Sequence, residues 1–122
     1  MAVVLVAEDE RTVRERVLEA LADAGHTALE ARSGEEALPL LHEHPEIELL
    51  FTDVHMPGAV DGIELAKIAR RMRRDLKVLY ATSHVQELLR DRSPIDPNQV
   101  VQKPYLPGQV VAAIEWALRR PG

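Results

Sequence analysis

Short apolar runs rich in β-branched residues alternate along this chain with longer segments of helical period, and no other feature constrains the fold as strongly. The runs cover residues 3–7, 27–31, 49–52, 77–81 and 100–102. Most lack the polar alternation of a sheet with one wet face, which predicts parallel strands buried on both sides. Parallel strands need crossover connections, and the helical segments between them supply these. The expected architecture is α/β and doubly wound, with helices on both faces.

The helical segments are read from their stripes. Val13, Val17, Leu21 and Ala24 share a face, and Gly25 is the expected C-terminal stop. Ser33 and Glu36 form a capping-box pattern ahead of Ala37, Leu40 and Leu41, with Pro39 placed to disturb the early hydrogen-bond ladder. Leu65, Ile68, Ala69 and Met72 give a third stripe. The last helix follows Pro107 and presents Val110, Val111, Ile114, Ala117 and Leu118. Residues 83–99 break the pattern, because Pro94 and Pro97 accompany Asp96 and Asn98. Only about residues 85–92 can be helical there, so the fourth helix is expected to be short or irregular.

At 122 residues the chain has room for one domain with a real core, expected to span residues 1–122. A formal charge of −5 disfavours direct nucleic-acid binding and attraction to anionic lipid. No apolar run is long enough to cross a bilayer, so no membrane insertion is expected. The N-terminus lacks the basic and small-residue flanks of a signal peptide, and the chain reads as cytoplasmic. Without cysteine there is no disulfide framework, thiol catalysis or zinc-thiolate site. Reactivity must come from carboxylates, hydroxyls, imidazoles or amines.

In a doubly wound sheet, chemistry gathers at the carboxyl ends of the strands. There the chain places Glu8 and Asp9 after the first run, Asp53 after the third, Thr82 and Ser83 after the fourth, and Lys103 with Pro104 after the fifth. Unpaired carboxylates about 4 Å apart repel by about 4 kcal/mol at an effective dielectric of about 20, so three acids on one rim imply a compensating cation. A hard divalent ion with oxygen ligands, Mg²⁺ foremost, suits them. Each residue also has an ordinary reading. Glu8 and Asp9 can be helix N-terminal acids, Asp53 a turn cap, Thr82 a strand residue and Lys103 a solvated lysine. Their coincidence at the same end of successive strands favours the joint functional reading.

These residues, in this order and spacing, resemble the receiver domain of the two-component response-regulator family across essentially the whole chain. The resemblance rests on Glu8-Asp9, on Asp53 in an Asp-x-x-Met-Pro setting followed by Asp61-Gly62, on Thr82, and on Lys103-Pro104. It implies a flavodoxin-like five-stranded parallel sheet of order 2-1-3-4-5. It implies transfer of a phosphoryl group from a sensor kinase histidine, or a histidine phosphotransfer protein, to Asp53, with slow self-catalysed hydrolysis and a conformational switch that controls a partner. Such a protein is a signalling phosphoacceptor more than an enzyme. Mg²⁺ would be held by Glu8, Asp9, Asp53 and the backbone carbonyl of His55; Lys103 would pair with Asp53 and then with phosphate; Thr82 would follow the phosphoryl group with its hydroxyl.

His55, Ser83 and His84 occupy positions that flank the phosphoryl site in the family, the imidazoles either steering water or standing solvated at the rim. Tyr105 is implied to border the kinase-docking surface. Trp116 lies opposite the last helix's stripe, where it is either an outward interface anchor, for instance in a homodimer, or packs on the preceding loop or the arms of Arg119 and Arg120. Two features depart from the family pattern: Val100 stands where an aromatic is common, and the Pro94/Pro97 segment replaces a regular fourth helix. The alternative reading, a phosphorylation-independent docking domain, ordinarily goes with loss of some of the acids or the lysine, all of which are present. A nucleotide-binding or hydrolytic enzyme on a similar scaffold is remote, for want of a Gly-rich phosphate loop or a nucleophile-histidine motif.

Overall fold

The computed structural model describes residues 1–91 and 95–120. Five parallel strands, β1 (Val3–Ala7), β2 (Thr27–Ala31), β3 (Leu49–Asp53), β4 (Lys77–Thr82) and β5 (Val100–Gln102), form one sheet of order β2-β1-β3-β4-β5. Five α-helices connect and follow them: α1 (Arg11–Asp23), α2 (Gly34–Glu43), α3 (Gly62–Met72), α4 (Val85–Asp91) and α5 (Pro107–Leu118). The expected doubly wound α/β architecture is thus present. β3 and β4 each run one residue further than the apolar pattern predicts, so Asp53 and Thr82 are the last residues of their strands.

Strand alternation divides the core between the two faces. Leu5, Ala7 and Leu50 point to one side, against Ala37 and Leu41 of α2 and Leu65, Ala66 and Ala69 of α3. Val4, Val6, Leu49, Phe51 and Leu79 point to the other, against Val17 and Leu21 of α1 and Val110 and Ile114 of α5. All five residues of β3 are buried. A carboxylate at its end is therefore held by a rigid element, not by a loop.

Helix boundaries follow their caps. Gly25, at φ 87°, closes α1: its N–H reaches the carbonyl of Ala22, and the N–H of His26 reaches that of Leu21. Ser33 caps α2 by accepting from the N–H of Glu36 at 3.1 Å, but the expected reciprocal half of the box is absent. Glu36 turns instead to the N–H and guanidinium of Arg32, at 2.9 and 2.8 Å. Pro39 lies inside α2 without ending it. Two stripes are corrected. Ala24 is exposed and Arg14 joins Val17 and Leu21 on the buried side of α1, while Met72, 41% exposed, gives way to Ile63 and Ala66 on α3.

The fourth helix is short as expected, seven residues. A 3₁₀ turn over Pro97–Gln99 leads into β5. Arg92 and Pro94 lie outside the described residues. Val100, in the position commonly aromatic in the family, is half-buried beside Tyr80, Ile95 and the small cluster of Val54, Ile63 and Leu88. No helix among the described residues is long and apolar enough to cross a membrane.

Candidate phosphoacceptor site

Sheet hydrogen bonding continues one residue past three strands and thereby fixes the site. The N–H of Glu8 reaches the carbonyl of Ala31, that of Val54 the carbonyl of Ala81, and that of Lys103 the carbonyl of Thr82. The β1/β3 boundary, where the chain's winding reverses, is the topological switch point of this sheet order. Glu8, Asp9 and Asp53 meet there, each offering one carboxylate oxygen within 4.8 Å of those of the other two.

Lys103 is the cation that answers these acids. Its Nζ lies 2.8 Å from Asp53 Oδ2 and 2.9 Å from Glu8 Oε1. The pairing with Asp53 is the expected one; the second, with Glu8, is an addition. Burial lowers the affinity of Lys103 for its proton, but its hydrogen bonds to Asp53 and Glu8 outweigh that and hold the ammonium above its ordinary range. Burial pushes Glu8 up to about 7, against the lowering pull of the Glu10 N–H and Lys103 and with the Asp53 charge adding to the rise. Glu8 is 1% exposed, and its second oxygen accepts from the N–H of Glu10 at 3.0 Å. Both Glu8 oxygens are engaged, whereas Asp9 is exposed.

The remaining rim is built by local turns. Asp53 Oδ1 accepts from the N–H of His55 at 3.3 Å, and Thr82 Oγ1 accepts from the N–H of His84 at 3.0 Å. That leaves the Thr82 hydroxyl proton available as a donor. Thr82 is buried, while Ser83, His55 and His84 are exposed; the two imidazoles lie edge to face with ring centres 5.7 Å apart. A cleft of about 180 Å³ opens between Thr82, His55, His84, Val54 and Asp61.

Two residues that hold the site have little sequence signal. Arg14, 6% exposed, donates to the carbonyl of Glu8 at 2.9 Å and to Glu30 at 2.8 Å. Its spacing to Val17 and Leu21 places it on the buried face, but an arginine is not normally assigned to a core. Gly62 brings α3 against β3 so closely that a Cβ there would lie 1.9 Å from the carbonyl oxygen of Asp53. The Asp61-Gly62 pair is visible in the sequence; the reason for its glycine is not.

The two aromatic candidates are held by different contacts. Tyr105 packs inward, its ring centre 6.0 Å from that of Phe51, with a buried hydroxyl that has no hydrogen-bond partner among the described residues. Burial, followed by the charge of Glu8, raises its phenol above the ordinary value. Trp116 is half-buried, and Arg120 lies 4.4 Å over its ring centre. The arginine-arm packing is thus the arrangement adopted, in place of a free outward face.

An acidic triad, a bridging lysine and a buried hydroxyl at the carboxyl end of a doubly wound parallel sheet define the class of phosphoacceptor switch domains. A profile of the response regulator receiver domain matches residues 4–115, and the chain belongs to that family. It is similar to the response regulator receiver protein CpdR of Brucella abortus, 36% identical over 94% of this chain and 95% of that protein. It is also similar to the sensor kinase CckA of the same organism, 31% identical over 98% of this chain but 13% of that protein. PhoB of Klebsiella pneumoniae matches at 32% identity, the chain spanning about half its length (52%). Among solved structures, the receiver domain of the hybrid histidine kinase CckA superposes with a TM-score of 0.81 at 29% identity, covering 97% of this chain and 100% of that one. The chain is accordingly a two-component phosphoacceptor domain, a signalling protein, and the docking-only reading is not favoured.

Proposed function

We propose that Asp53 is the phosphoacceptor and that it takes the phosphoryl group from the histidine of a sensor kinase or histidine phosphotransfer protein. The observation that carries this reading is the shared position of Lys103 Nζ on Asp53 Oδ2 and Glu8 Oε1. A carboxylate oxygen of Asp53 attacks phosphorus, the P–N bond to the donor histidine breaks, and the donor imidazole leaves with the electron pair. Lys103 moves from Asp53 Oδ2 onto a phosphoryl oxygen, keeping its charge beside the group it neutralises. Thr82 turns its free hydroxyl proton toward the same group, and the cleft behind it gives room for the accompanying shift.

The all-oxygen donor set of Glu8, Asp9 and Asp53 fits Mg²⁺, with the backbone carbonyl of His55 as a further ligand. The chemistry it would supply is neutralisation of charge on the phosphoryl oxygens. Asp9 and Asp53 would be the direct carboxylate ligands, and Glu8, 1% exposed and held by Lys103 and the Glu10 N–H, would act through water. His55, Ser83 and His84 border the route by which hydrolytic water reaches the acyl phosphate, which tunes its lifetime. In this reading the whole chain is one receiver domain that acts in the cytoplasm and passes its signal to a partner protein.

Incubation with Mg²⁺ and acetyl phosphate, read by intact mass, tests the assignment. The wild type gains one acid-stable, base-labile phosphoryl group, Asp53→Asn gains none, and EDTA abolishes labelling. Undiminished labelling of Asp53→Asn would overturn it.

A further inference from the structure

A second cleft lies at the opposite end of β4 from the phosphoacceptor site. β5 pairs only with Tyr80 to Thr82, so the first half of β4 has a strand on its β3 side but none on its β5 side, and the 3₁₀ turn covers that edge through a hydrogen bond from Gln99 Nε2 to the carbonyl of Val78 at 3.2 Å. The resulting cavity, of about 480 Å³, is lined by Arg70 of α3 and Arg74 just after it, Lys77 and Val78 of β4, Trp116 of α5 and Arg120 just after it, together with Asp96, Asn98 and Gln99. Lys77 opens β4 and Thr82 ends it, so about 16 Å of strand separates the cleft from the phosphoacceptor site.

The charge of this cleft runs against that of the chain. Four cations, Arg70, Arg74, Lys77 and Arg120, face one cavity in a protein of net charge −5, and none of them forms an ion pair among the described residues. Among the described residues Asp96 is the one acid lining the cleft and Lys77 Nζ donates to the carbonyl of Arg120, so the cations outnumber the acid four to one, and an anion with more than one phosphate relieves their repulsion most effectively. The volume falls within the usual range for small-molecule sites, roughly 300–1,000 Å³.

The other groups specify what the anion carries. The guanidinium of Arg120 already lies over the Trp116 ring, and a planar heterocycle extends such a stack on the guanidinium's outer side. Asp96 supplies an acceptor and Asn98 both a donor and an acceptor for the edge of that ring. We propose that this cleft binds a purine nucleoside diphosphate, its phosphates on Arg70, Arg74 and Lys77, its base on Arg120 and Trp116, and its base edge on Asp96 and Asn98. Because Trp116 belongs to α5 and Lys77 to β4, an occupied cleft ties together two elements that also build the phosphoacceptor half of the domain.

Trp116 is the chain's single tryptophan, so its fluorescence reports on this cleft alone. Titration with GDP and with ADP, in EDTA to keep the acidic site free of divalent ions and with inner-filter correction, is expected to give a saturable change. Pyrophosphate and guanosine, each carrying half of the ligand, bind at least about tenfold more weakly, and Arg74→Ala/Lys77→Ala weakens GDP by about tenfold or more, the loss expected for one charge-assisted contact. Asp53→Asn leaves the titration unchanged. Circular dichroism melts of the double variant separate lost binding from lost folding, and Arg120→Gln provides a second variant that keeps the arm over Trp116. No saturable change with either nucleotide, pyrophosphate binding as tightly as GDP, or loss of binding in Asp53→Asn overturns the proposal.

Discussion

The guanidinium of Arg14 donates to the backbone carbonyl of Glu8 at 2.9 Å from beneath α1, so a buried cation of one helix sets the orientation of an acidic residue at the end of β1. The same side chain is tied to Glu30, at the other edge of that strand pair, at 2.8 Å. Arg14→Ala removes both contacts and leaves the Glu8 carbonyl unpartnered. We expect a loss of about 1.5–3 kcal/mol in urea unfolding, the range for hydrogen bonds to charged groups, together with weaker Mg²⁺ binding in a calorimetric titration. Arg14→Lys should not restore both, because one ammonium lacks the fork that spans Glu8 and Glu30. Full recovery in that variant would show that only charge matters.

Lys103→Met separates two roles of the lysine. Removing the cation shared by Glu8 and Asp53 leaves the acids uncompensated, so Mg²⁺ binds more tightly. Phosphoryl transfer from acetyl phosphate nevertheless slows by roughly 10²-fold, the scale for losing one donor to developing charge. Tighter metal binding with unimpaired transfer would remove Lys103 from the reaction.

Gly62→Ala tests how α3 supports Asp53. The new methyl would sit 1.9 Å from the Asp53 carbonyl oxygen, a backbone atom with little freedom to yield. Overpacking of this kind costs about 1–3 kcal/mol, and the shift of β3 relative to α3 should also slow labelling of Asp53. Gly108→Ala, where a Cβ meets nothing within 4 Å, serves as the matched control, with unchanged labelling.

The N-terminus of α2 carries a local pH signature. Arg32 holds the Glu36 carboxylate through side-chain and backbone hydrogen bonds, which keeps Glu36 below the ordinary carboxylate value. A depressed folded-state value means that the stabilisation is present above the unfolded value of 4.5 and is lost as pH falls through the lower folded one. A carbon-detected NMR titration of Glu36 should show this, and Arg32→Ala should raise its midpoint toward that of an ordinary glutamate. A midpoint that does not move would assign the shift to the helix terminus alone.

Legibility in the sequence tracked locality. The Gly25 stop, the Ser33 cap and the short fourth helix follow from a few neighbouring residues, and all are present in the fold. Failures came where a side chain answers to a distant partner. Glu36 left the capping box for Arg32, and Met72 lay at the exposed end of α3. Arg14 was missed because burial of an arginine depends on acceptors that only the packed fold provides.

The sequence by itself determined which elements form, in what order, and that Glu8, Asp9, Asp53, Thr82 and Lys103 each stand at a strand's carboxyl end, since strand period and helix caps are local properties of the chain. Tertiary structure decided what those residues do to one another. Lys103 reaches Glu8 across 95 residues of sequence and Asp53 across 50, and both contacts exist because β1, β3, β4 and β5 stand side by side in this register. The same three-residue shortness of β5 that leaves the start of β4 without a neighbour on that side also opens the cationic cleft beside Trp116. Neither the shared lysine nor that cleft is a property of any segment alone; each arises from strands and helices far apart in sequence being brought edge to edge.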